Sequence, residues 1–189
     1  MAGGDEEVLF TSADMLTCTH QWLTDGSILF MGADARTFYL LPPSGDRKPA
    51  RLLRTQSAWV DPQVSQDGKW IAYSSRESGR SEIYIAAFPS FTERRQVSNG
   101  GGVGARWRKD GNELFFLSLE NELMSLDVKR GAALTTGVPR ILFKTPFAVD
   151  SSYQYSVTGN GKRFIFNEPV KEASQPFTVV LNWAAGLKQ

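Results

Sequence analysis

Hydrophobic positions in this chain fall in short runs set apart by polar, glycine-bearing turns. The runs ILFM (28–31), WIAY (70–73), ELFF (113–116) and RFIF (163–166) each follow a turn signal: Asp25-Gly26, Asp67-Gly68, Asp110-Gly111 and Asn160-Gly161. Each signal is preceded by a further stretch: THQWLT (19–24), DPQVSQ (61–66), GARWRK (104–109) and YQYSVT (153–158). Runs this short, rich in β-branched and aromatic residues and without helical spacing, predict strands. Asp or Asn bonds back to nearby amides and Gly takes positive φ, so each signal predicts a hairpin tip. A third run follows in every unit, FYLL (38–41), EIYIAAF (82–88), ELMSLDV (122–128) and FTVVLNW (177–183). A fourth follows in three units, ARLLR (50–54), RRQVS (94–98) and PRILF (139–143).

The turn signals lie 42, 43 and 50 residues apart, the last interval holding an insertion around 147–152. Four strands in roughly 40–45 residues is the period of a propeller blade. The predicted fold is all-β: a β-propeller of about four blades, each a four-stranded antiparallel sheet, over 17–54, 57–98, 103–143 and 151–189. A β-sandwich has no reason to repeat one turn at near-constant register. The last unit stops at its third strand, and EEVLF (6–10) at the start reads as an unmatched fourth strand. The ends are therefore expected to complement one another by velcro closure, in cis or between two chains. Trp22, Gln63, Trp107 and Tyr155 on the inner strands look bulky for a four-blade ring. That tilts the expectation towards a homodimer completing an eight-bladed ring.

Composition narrows the function classes. The 189 residues are 41% hydrophobic and 22% charged, which suits a globular domain. The net charge of +1 supplies no global field for nucleic acid or anionic membrane. No basic-then-apolar leader and no long apolar window is visible, so neither a signal peptide nor membrane insertion is expected, and the chain as it stands reads as cytoplasmic. Within a longer membrane-anchored parent the same module would be extracytoplasmic.

Catalytic and cofactor chemistry finds little to work with. Cys18 and His20 are the single Cys and His of the chain, two residues apart on one strand face, too few for a structural zinc site. No metal and no cofactor is expected. NGGGVG (99–104) leads into a strand, not a helix, so it reads as a close backbone passage between repeats and not as a phosphate loop. TGNGKR (158–163) lacks the spacing and the Ser or Thr of a P-loop, and no G-x-S-x-G elbow occurs. Carboxylates such as Asp61 and Asp67 read as turn caps or solvated charges. Arg76, Glu77, Arg80 and Glu82 read as exposed ion pairs, with an Arg-lined rim for an acidic group as the functional alternative. Trp70 and Trp183 read as packing between blades. Trp22 and Trp107 share one repeat position, three residues before the turn aspartate, and read as structural. Trp59, in a connection, is the best exposed contact aromatic.

The segments VSQDGKWIAYSSRESGRSEIYIAAFP (64–89) and QVSNGGGVGARWRKDGNELFFL (96–117) resemble WD40-like PD40 repeats, as in TolB-like propellers. YSVTGNGKRFIFNEPV (155–170) and FTVVLNWAAGLKQ (177–189) resemble the end of the propeller fused to bacterial serine/threonine protein kinases. The resemblance implies a sensory or interaction module, and full-length relatives carry more blades, so the chain is a fragment or a short cousin. The Gly-rich loop, HRD and DFG motifs of a kinase are absent from these residues. The leading expectation is a non-catalytic module that binds a protein, peptide or small ligand at the channel mouth. The alternative is a regulatory propeller of a kinase or hydrolase. The face formed by inter-repeat links and second-to-third-strand loops is the expected binding face, with His20, Trp59, Arg76, Arg80, Arg106 and Tyr153 as candidate ligand contacts.

Overall fold

The computed structural model describes residues 8–11, 18–55, 61–129, 134–146, 149 and 155–167, and the backbone of 177–181. Strands account for all regular structure among them. The first sheet runs β1 (Cys18–Trp22), β2 (Ile28–Met31), β3 (Thr37–Leu41) and β4 (Ala50–Arg54). The second runs β5 (Gln63–Val64), β6 (Trp70–Ser75), β7 (Glu82–Ala87) and β8 (Arg95–Gln96). The third runs β9 (Val103–Trp107), β10 (Glu113–Leu117) and β11 (Glu122–Lys129), with both β12 (Thr135–Thr136) and β13 (Arg140–Lys144) against β11. The fourth runs β14 (Tyr155–Val157), β15 (Arg163–Asn167) and β16 (Phe177–Leu181). Every pairing is antiparallel.

One turn chemistry makes the first hairpin of every sheet. The amide of Gly26, Gly68, Gly111 or Gly161 donates to the carbonyl three residues back at 2.8–3.0 Å. Each of these glycines has φ between +68° and +85°, where a Cβ would be strained. The preceding Asp25, Asp67, Asp110 or Asn160 accepts, through Oδ1, the amide two residues on, at 2.9–3.3 Å. The first turn closes one residue tighter, Leu23 N donating to Ser27 O, where the second has Ser65 N donating to Trp70 O.

Alternation along these strands gives the second and third sheets two buried apolar faces, each sealed against a neighbouring sheet, while the first and fourth each seal one face. Leu29, Met31 and Phe38 of the first sheet meet Ile71, Tyr73 and Tyr84 of the second. Trp70, Ala72 and Ile85 on the other side of the second meet Trp107, Leu114 and Phe116 of the third. Phe115, Leu117 and Leu123 meet Tyr155, Phe164 and Phe166 of the fourth. The first strands β1, β5, β9 and β14 touch in succession, so they form the inner edge of the array. Gln21 clasps the next sheet: its Nε2 donates to Val64 O at 2.9 Å and its Oε1 accepts Val64 N at 2.7 Å. Gln63 repeats the clasp, accepting Trp107 N at 2.6 Å while its carbonyl takes the Trp107 indole N–H at 3.0 Å.

Several expectations need correction. Residues 8–10, the described part of the stretch read as a closing strand, carry no strand, and the Phe10 ring lies 6.5 Å from Phe30 on the first sheet. Trp107 is buried as expected, but Trp22 at the same repeat position is 71% exposed, because no sheet precedes β1 among the described residues. Trp107 and Tyr155 do not crowd a channel; they pack between sheets. No helix among the described residues is long and apolar enough to cross a membrane.

Candidate functional site

The inner strands carry a cluster of polar side chains that links all four sheets. His20 stands where the β1–β2 register slips, between Thr19 and Gln21. Its ring lies edge-on to Phe38, 6.4 Å between centroids, with Nδ1 3.6 Å from Asp61 Oδ1. Asp61 is on the link entering β5, and its Oδ2 accepts Arg106 Nη1 at 2.6 Å. Arg106, in the middle of β9, also donates through Nε to the Tyr155 carbonyl at 3.2 Å and through Nη1 to the Ala105 carbonyl at 2.8 Å. Its guanidinium carbon is 5.5 Å from the centre of the Tyr155 ring.

Electrostatics divides the roles. The side chains of His20 and Arg106 are 11% and 15% exposed, that of Asp61 34%, so the carboxylate is the most accessible charged group. Burial alone would raise the Asp61 carboxyl. The neighbouring His20 and the Arg106 guanidinium outweigh it and hold the group below its ordinary value. Burial pushes the Tyr155 phenol far up, against the opposing pull of Arg106, so it stays neutral and able to donate. Tyr155 Oη and His20 Nε2 are both buried and both lack a hydrogen-bond partner among the described residues. Leaving such a group unpaired costs about 1–3 kcal/mol. The cluster thus offers an accessible carboxylate fixed by an arginine, beside two unsatisfied buried groups. It can hold a polar group by hydrogen bonds. No group of three or more His, Cys, Asp or Glu among the described residues is placed to hold a metal.

Of the six candidate contacts, His20 and Arg106 are brought together, through Asp61. Trp59 and Tyr153 lie outside the described residues. Arg76 is exposed on the β6–β7 loop, and neither it nor Arg80 shares a hydrogen bond with the cluster. The expectation of exposed ion pairs on that loop fails at Glu82, which is 1% exposed. Glu82 Oε1 accepts Arg80 Nε at 2.7 Å, Gly101 N at 3.1 Å and Gly100 N at 3.3 Å, while its Oε2 accepts the Ser98 hydroxyl. Burial raises its carboxyl, but these donors bring the group below its ordinary value. The amides of the glycine run therefore already wrap an anion, the chain's own Glu82. Gly101 sits at φ +101°, which strains any residue with a Cβ, and a Cβ there would also fall 2.4 Å from Leu119 Cδ1, so that passage needs glycine.

Asp61 and Tyr155 were not singled out as contacts by the sequence, and Asp61 is no solvated turn cap. One signal was available. Four residues before each turn signal stand Gln21, Gln63, Arg106 and Ser156. The two glutamines clasp the next sheet; Arg106 keeps a bond to the fourth sheet and turns its other nitrogen to Asp61. At the turn end, an open cavity of about 680 Å³ lies between Arg108, Lys109 and Asp110 of the third sheet and Thr158, Gly159 and Asn160 of the fourth. Arg108 is held there by Asp110 at 2.8 Å and Glu113 at 2.7 Å, and it brings the Asp110 carboxyl down to about 2.

Among solved structures, the chain is similar to TolB from Acinetobacter baumannii, with a TM-score of 0.68 and 17% identity over 93% of this chain and 43% of that one. It is similar to a TolB structure from Agrobacterium tumefaciens, with a TM-score of 0.64 and 19% identity over 85% of this chain and 56% of that one. It also matches a chain of a nidogen/laminin complex, with a TM-score of 0.59 and 11% identity over 85% of this chain and 59% of that one. The chain spans about half the length of these structures. No family model and no curated protein matches it. The likeness establishes the fold as a β-propeller.

Proposed function

We propose that the chain is a non-catalytic binding module that takes a polar group of a protein or peptide partner at its inner edge, on His20, Asp61, Arg106 and Tyr155. The observation that carries this reading is the pair of buried atoms without a partner among the described residues, His20 Nε2 and Tyr155 Oη, on residues tied together through Arg106 and the more accessible Asp61 carboxylate. A rigid array of sheets that holds unsatisfied groups in place suits recognition, because little ordering is left to be done on binding. The nidogen/laminin structure among the similar folds is a protein complex, which supports a protein partner. The same reading has two chains pairing to complete a ring.

A peptide library screened by thermal shift tests the site. Peptides that raise the melting temperature of the wild type should raise that of Asp61→Asn little or not at all. Equal shifts in the two would remove the cluster from the binding site. Hydrolase or lyase turnover that disappears on substituting His20 and Arg106 would overturn the non-catalytic reading.

A further inference from the structure

The repeat supplies an internal control for one exposed surface. Trp22 and Trp107 each stand three residues before the turn aspartate of their sheet. Trp107 is 6% exposed, its indole and amide both bonded to Gln63 of the preceding sheet. Trp22 is 71% exposed. Gln21 reaches towards the second sheet, so strand alternation puts Trp22 on the opposite face of the first. That face continues through Ile28, paired with Trp22, to the stacked rings of Phe30 and Tyr39, 5.4 Å apart. Phe10 lies against Phe30, and no sheet among the described residues covers Trp22. An exposed tryptophan at the rim of an apolar sheet face is a strong association anchor.

The occupant is indicated by what covers the equivalent face elsewhere. On the second, third and fourth sheets it is a sheet of the same kind, its inner strand bonded to the next. The chain spans 43% and 56% of the TolB structures it matches, so two copies supply about the length of one such chain. Resting on the pairing proposed above, we infer that the Trp22 face is where a second copy docks. The fourth sheet of that copy stands towards Trp22 as the second sheet stands towards Trp107. The carbonyl at Ser156, which holds the repeat position of Gln63, takes the place of the Gln63 carbonyl as acceptor for the indole. Applied twice about a two-fold axis, the same contact closes the array and leaves no free sheet face.

Sedimentation equilibrium of the full chain over a wide concentration range tests this, with far-UV circular dichroism and a melting curve on each variant. The wild type should sediment at twice the chain mass and Trp22→Glu at the single-chain mass with an unchanged spectrum. Trp22→Ala, a milder change in case the charge disturbs folding, should weaken pairing about a thousandfold, about thirtyfold for each of the two copies of the contact. Val138→Glu, at an 85% exposed position on the outer part of the third sheet, should leave the mass unchanged. Trp22 variants that still sediment at twice the chain mass would overturn the docking face while leaving the pairing intact. A wild type at single-chain mass throughout would overturn the pairing itself.

Discussion

The contact between the second and third sheets and the contact between the third and fourth are built on one plan and finished differently. In the first, Gln63 clasps Trp107, a tryptophan fills the space behind it, and Glu82 ties down the connecting glycines with a complete set of donors. In the second, the clasp position holds Arg106, the ring behind it is Tyr155, and the phenol oxygen is left without a partner. Aromatic contacts hold that layer together, Phe115 against Phe164 at 5.1 Å and Phe143 against Phe164 at 6.0 Å. Satisfied polar groups mark a place whose task is to hold sheets together. Groups left unsatisfied in a contact whose neighbour has its polar groups paired mark a place kept for something else.

Trp107→Ala should give the largest effect, a loss of about 3–5 kcal/mol from removing a buried indole and leaving a cavity. Urea unfolding reads it, and a loss below about 1 kcal/mol would break the view of this contact as the structural one. Glu82→Gln comes next, at about 1–3 kcal/mol, since a buried amide cannot accept all four donors. This loss should depend on pH. The folded carboxyl lies below its ordinary value, so its contribution is complete above the unfolded value near 4.3 and fades as pH falls through the folded value. Wild type and Glu82→Gln should therefore converge in urea midpoint below about pH 4; a constant gap down to lower pH would remove the carboxylate from the explanation. Gln63→Ala should cost about 1 kcal/mol by stranding the Trp107 amide at a half-buried site. The smallest effect belongs to Arg106→Gln, which restores the residue of the other two clasps and should change stability by less than about 1 kcal/mol. A large loss there would make Arg106 a structural residue like Gln63 and dissolve the comparison.

The candidate site was legible in halves. His20 and Arg106 could be picked out because a lone histidine and a strand arginine are conspicuous against Gln, Ala and Trp. Asp61 could not, because aspartate before a strand is ordinary turn chemistry, and only the neighbouring β9 gives it an arginine partner. Glu82 was misread for a similar reason: a carboxylate two residues after an arginine, at the end of a polar loop, looks solvated until Ser98 and two glycine amides fold over it. Tyr155 lay two residues from a position that was chosen, and its orphaned hydroxyl is a property of how the third and fourth sheets meet.

Turn chemistry and alternation are local, so the chain could write its sheets into its sequence: an Asx–Gly pair with a strand on each side makes a hairpin whatever surrounds it. Which members of the repeat are buried is not local. Trp22 and Trp107 are the same residue at the same place in the same motif, and among the described residues Trp107 has a sheet behind it while Trp22 does not. That difference, like the union of His20, Asp61, Arg106 and Tyr155 across four sheets, exists only once the sheets are arranged in space, because burial and partnership are set by neighbours that the local sequence does not contain.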